Sequence, residues 1–95
     1  MNKSRRAQIK EIMEKLREDV SQLIGEAREA IEEVSSEEQE AYDNLPENLQ
    51  YSEKGENMER CVEALDEMVS FLEDDWDELN DAISELYSEL EIEED

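Results

Sequence analysis

The chain is predicted to be all-α, an antiparallel two-helix coiled-coil hairpin with a short helical joint. Three observations predict it. Apolar residues recur in alternating steps of four and three through two long runs. Turn material is scarce, with two Gly and one Pro in 95 residues, so the elements must be few and long. The charge of each helix end suits the other helix better than its own.

Helix one is expected over about residues 4–42. Its seam reads Ile9, Met13, Leu16, Val20, Leu23, Ala27, Ala30 and Val34, flanked by Ile12, Ile24 and Ile31. Ala41 keeps this phase, which would put Glu37 at a core position. A joint follows over about 43–52. In Asn44-Leu45-Pro46-Glu47, Asn44 is a candidate cap and Pro46 suits a first helical turn, because it has no N–H to leave unpaired. Tyr42, Leu45, Leu49 and Tyr51 are expected to fold over the end of the helix pair. Ser52 is the expected N-cap of helix two, with Glu53 in its first turn.

Helix two is expected over about 53–91. Met58, Val62, Leu65, Val69, Leu72, Trp76, Leu79, Ile83, Leu86 and Leu90 hold the alternation unbroken, with Cys61, Met68, Ala82 and Tyr87 beside them. Residues 1–95 thus read as one helical domain. Two helices bury little apolar surface for a chain this charged, and dimerisation into a four-helix bundle would cover the flanking residues. A dimer would also double the charge.

That charge is -22, from 31 acidic and 9 basic residues, and it is graded along the chain. Residues 1–28 hold seven basic and five acidic residues; residues 61–95 hold fifteen acidic and none basic. Basic residues at the start of helix one and acidic residues at the end of helix two each oppose their own helix dipole. Folding back brings Lys3, Arg5, Arg6 and Lys10 beside Glu91, Glu93, Glu94 and Asp95, and the faults cancel. The overall field repels nucleic acid and anionic membrane and attracts basic protein surfaces. The expected partner is therefore a basic protein, with no direct nucleic-acid binding, no membrane, and a homodimer left open.

Other function classes find little support. There is no His, no nucleophile elbow and no Gly-rich phosphate loop, so no enzyme is expected. No cofactor is implied. Asp74, Asp75, Asp77 and Glu78 could attract a divalent cation, but no Gly follows Gly55 to shape a calcium loop. The single Cys61 suits a reducing cytoplasm and reads as a partly buried thiol rather than a reactive one. No apolar stretch is long enough for a membrane span or a signal-peptide core.

The candidate partner-binding residues lie on helix two. With the seam turned inward, Glu67, Glu73, Asp74, Asp77, Glu78, Asp81 and Glu85 fall on the outward face. Neighbours three or four apart on a helix stand about 5–6 Å from each other. A row of carboxylates at that spacing can enter a groove built for a nucleic-acid backbone. The plainer reading is a face that keeps the helix soluble. Such a face normally mixes signs, and no Lys or Arg follows Arg60. Trp76 reads as a core or interface residue, whereas Phe71 falls outside the seam among carboxylates and is the candidate contact anchor.

The joint is the most distinctive string, with Asn44-Leu45-Pro46-Glu47-Asn48-Leu49-Gln50 followed by Ser52-Glu53-Lys54-Gly55-Glu56. Together with the basic opening and the acidic heptad helix, it resembles small acidic helical proteins encoded by phages and prophages of Gram-positive bacteria. The resemblance implies a setting more than a mechanism, because most such proteins have no assigned activity. Small acidic phage proteins often occupy the nucleic-acid channel of a host nuclease, such as a CRISPR effector. The leading expectation is thus a non-enzymatic DNA mimic, acting in the host cytoplasm against a basic nuclease or DNA-binding protein. The alternative is a self-associating structural or adaptor bundle with no nucleic-acid-related target. The two differ in the sign of the salt effect, since salt weakens a mimic's binding and strengthens self-association of like-charged chains.

Overall fold

A computed structural model describes residues 1–94; Asp95, expected beside the basic start, lies outside the described residues. The element order is α1 (Lys3–Asp43), α2 (Glu47–Gln50) and α3 (Glu53–Leu90), with no strand among the described residues. The all-α expectation holds, and the helix bounds fall within a residue of those read from the pattern.

Each helix end has a local cause. Asn2 caps α1 by accepting the Arg5 N–H at 2.8 Å on its side-chain oxygen. Ser52 caps α3, its Oγ accepting the Gly55 N–H at 3.4 Å and donating to the Leu49 carbonyl. At the far end of α3, Glu91 adopts a left-handed φ of 58°. The Ile92 N–H then reaches the Tyr87 carbonyl at 2.8 Å and the Glu91 N–H reaches that of Ser88, which satisfies two orphan acceptors.

The chain forms two compact units. The first joins Met1–Gly25 to Glu73–Asp95. Its core is Ile83 and Tyr87, which are 3% and 1% exposed. Around them α3 turns Trp76, Leu79, Leu86 and Leu90 inward, as expected. On α1 the inward residues are Ile9, Met13, Arg17, Val20 and Ile24. The expected seam is corrected here: Leu16 is 37% exposed and Leu23 is 64% exposed. Arg17 takes the place of Leu16 because its guanidinium finds partners along α3 that no apolar side chain could use.

The second unit is Glu26–Leu72. Here Ile31, Ser35, Glu38 and Tyr42 of α1 turn toward Met58, Val62, Leu65, Val69 and Leu72 of α3. Ala30 and Val34, assigned to the seam by their spacing, are exposed. The cause is a polar anchor: Ser35, 6% exposed, donates from Oγ to the Asp66 carboxylate at 3.0 Å. The shifted phase also leaves Glu37 exposed and turns the neighbouring Glu38, half-buried, toward α3 instead.

The joint closes this unit. Pro46 is the N-cap residue of α2 rather than its first helical residue, and no side chain caps that helix, so Asn44 does not serve as expected. The Pro46 carbonyl instead accepts the Leu49 and Gln50 N–H groups. Gln50 Nε2 donates to the carbonyls of Tyr42 and Leu45 at 3.3 and 3.2 Å, tying the end of α1 to the joint. Tyr42 and Leu45 are half-buried, but Leu49 and Tyr51 are exposed and do not cover the helix pair. Gly55 is buried, and a Cβ there would stand 2.6 Å from the Gln50 carbonyl carbon and 2.7 Å from the Leu49 oxygen. Only glycine permits so close an approach.

Candidate interaction surface

In the first unit, turning Trp76, Leu79, Ile83 and Leu86 inward leaves Asp74, Glu78, Asp81 and Glu85 on the opposite side of α3. Their steps of four, three and four form one stripe, with adjacent Cβ atoms about 5–6 Å apart. Asp77 stands one row over. All five are exposed and none makes an ion pair among the described residues. Glu73 is exposed too, but it stands at the edge of the seam and is engaged in an interaction of its own, so it is set apart from the stripe.

Two cations of this unit, Arg6 and Arg17, are committed elsewhere. Arg6 donates from Nε to the Leu90 carbonyl at 2.8 Å and stands 3.8 Å from Glu91. Arg17 reaches Glu94 at 3.0 Å, Ser84 Oγ at 3.1 Å and the Asn80 carbonyl at 3.4 Å, with Glu14 at 3.7 Å. Its guanidinium lies 5.3 Å from the Tyr87 ring centroid, in cation–π range. Ser84 Oγ accepts from Arg17 and donates to Glu94. These two donors hold the Glu94 carboxyl below the usual carboxylate range. Burial, then the hydrogen bond to Glu14, pushes the Tyr87 phenol up to about 12. The apolar pattern gave no sign of this cluster. The signal available was an Arg flanked by carboxylates at 14 and 18 and placed four residues after Met13.

In the second unit Glu67 and Phe71 are both exposed, Phe71 at 57%. They share the unit with a cleft of about 410 Å³ lined by Ser35, Ser36, Gln39, Glu40, Asp43, Val62 and Asp66. In the same unit the Tyr42 phenol is pushed up to about 12, chiefly by its hydrogen bond to the Glu59 carboxylate and secondarily by burial. Cys61 is exposed, not partly buried as its position predicted.

Chemically, the surface of the first unit can present fixed negative charge at regular intervals on a rigid rod. It offers no metal cage: no group of three His, Cys, Asp or Glu side chains converges on a cation position among the described residues, and that holds for Asp74, Asp75, Asp77 and Glu78. No helix among the described residues is long and apolar enough to cross a membrane. No protein-family model, curated protein or solved structure gives a significant match to the chain.

Proposed function

We propose that the chain is a non-enzymatic inhibitor that presents a polyanion to a basic nucleic-acid-binding protein and blocks its nucleic-acid groove. The observation that carries this reading is the stripe Asp74, Glu78, Asp81 and Glu85, exposed and without a cation partner among the described residues. Like charges at i,i+4 destabilise a helix, so a stripe of one sign is a cost that solubility alone does not require. Asp77 broadens the stripe, and Glu67 and Phe71 are the proposed additional contacts. Basic host nucleases of CRISPR or restriction type, met in the host cytoplasm, are the proposed targets. That setting rests on the resemblance of the joint to phage proteins.

The scaffold is read as an antiparallel coiled-coil hairpin. Partner numbers along α3 fall as those along α1 rise: Arg6 meets Leu90, Tyr87 donates to the Lys10 carbonyl, and Arg17 meets Asn80 in the first unit. The test is capture of host proteins on the immobilised chain at low salt, followed by elution with DNA. A basic protein released by DNA is the expected result; a catch that DNA cannot displace counts against the mimic.

The rival reading, a structural or adaptor bundle, draws on the exposed apolar residues Val34, Met68 and Phe71. It assigns function to the apolar positions and expects reversal of the acidic stripe to leave every interaction intact.

A further inference from the structure

The second unit has two flanks. Its cleft is lined by Ser36, Gln39 and Asp43 on α1 and by Asp66 on α3, each one position after an inward-facing residue. Residues one position before the inward ones stand about 200° away around each helix, on the flank opposite the cleft. There the side chains are Ala30, Val34, Glu37 and Ala41 of α1 and Asn57, Cys61, Ala64, Met68 and Phe71 of α3, and the stretch from Ala30 and Val34 across to Cys61, Ala64, Met68 and Phe71 is apolar. All of them are exposed. One flank of this unit is therefore polar, and the other carries an apolar patch built from both helices and bordered by Glu37 and Asn57.

We propose that two copies of the chain pair through this apolar patch of the second unit. The first reason is area. The chain exposes 7174 Å², against roughly 5,700 Å² for an average folded monomer of its mass. A standard interface removes about 800 Å² per partner, well within that surplus. The second reason is the core. Ile83 and Tyr87 are the buried apolar side chains among the described residues, and neither belongs to the second unit. A second copy supplies the missing layer, as in four-helix bundles. Size fits as well, since Ala30, Cys61 and Ala64 let backbones approach while Val34, Met68 and Phe71 fill the space between them. The opposing term is charge, because this unit holds fifteen acidic residues against three basic ones. Salt must therefore strengthen the pairing, opposite to its effect on binding a basic target.

The pairing takes Phe71 for the dimer rather than for the target; it stands whether or not the acidic stripe binds a target, and its test needs none. Sedimentation equilibrium on the full chain should show a monomer–dimer equilibrium that shifts toward dimer by several-fold between about 50 and 200 mM salt. Met68→Lys should weaken it by roughly tenfold or more, because a lysine there is buried without a partner. Asp81→Asn, on the other unit, should leave the equilibrium as strong as before or slightly stronger. Alkylation of Cys61 by iodoacetamide supplies a readout that does not depend on a substitution: its rate should fall as protein concentration rises. A monomer at every concentration and salt overturns the proposal. So does a dimer whose Cys61 alkylates at a concentration-independent rate, because the copies would then meet elsewhere.

Discussion

The Tyr87 hydroxyl donates to Glu14 Oε1 at 2.8 Å from a ring that is 1% exposed, joining the most buried side chain of α3 to a carboxylate of α1. Arg17 stacks on the same ring and pairs with Glu94, so one aromatic side chain organises the charges of the first unit. Tyr87→Phe keeps the ring and removes the donor. It should cost about 1–2 kcal/mol, toward the low end for a hydrogen bond to a charged group because the Glu14 acceptor is itself exposed to water. Tyr87→Ala should cost about 3–5 kcal/mol through the cavity it leaves. Urea denaturation of the two variants measures both, and an unchanged stability in Tyr87→Phe would mean that the hydrogen bond contributes nothing.

The same bond sets an alkaline limit. The Tyr87 phenol is raised from 10.0 to about 12 in the fold, so the folded state holds its proton more tightly than the unfolded chain. Its contribution is fully present below pH 10 and is lost as pH rises from there toward 12. Denaturation midpoints should decline over that window, and phenolate absorbance should show late ionisation. Tyr87→Phe should flatten part of the decline. The part that remains belongs to Tyr42, raised to about 12 by its bond to Glu59.

Two glycines should respond oppositely to alanine. At Gly55 the added Cβ meets the Gln50 and Leu49 backbone, which cannot rotate away as a side chain could. Gly55→Ala should cost about 1–3 kcal/mol through overpacking. Gly25 lies inside α1 with nothing within 4 Å of its Cβ position. Gly25→Ala should stabilise by about 0.5–1 kcal/mol, because alanine loses less backbone entropy in a helix. Thermal denaturation of the pair would show two shifts of opposite sign.

Legibility in the sequence differed between the helices for a physical reason. On α3 all ten expected seam residues from Met58 to Leu90 turn inward, because no competing apolar stripe of equal length exists. On α1 two stripes overlap, one through Leu16, Leu23 and Val34 and one through Met13, Ile24 and Ile31. Hydrophobic spacing alone could not choose between them. The choice falls to polar contacts with α3, those of Arg17 with Asn80 and Ser84 and that of Ser35 with Asp66, which an apolar pattern does not encode. Gly55 was visible as a residue, but its contact with the Gln50 carbonyl depends on the path of the joint. For the candidate surface, exposure of the acidic residues followed from the α3 seam. The separation of Glu73 from the stripe did not.

The proposal of a polyanion mimic is tested most directly by capturing host proteins on the wild-type chain and on Asp74→Lys/Asp77→Lys/Asp81→Lys in parallel, with DNA elution and helicity checked by circular dichroism. The prediction is a DNA-displaceable basic protein on the wild type, weakening sharply between about 50 and 200 mM salt, and its loss on the triple variant with helicity retained. Equal, salt-insensitive capture by both chains would contradict the mimic and leave the apolar surface as the working face of the molecule.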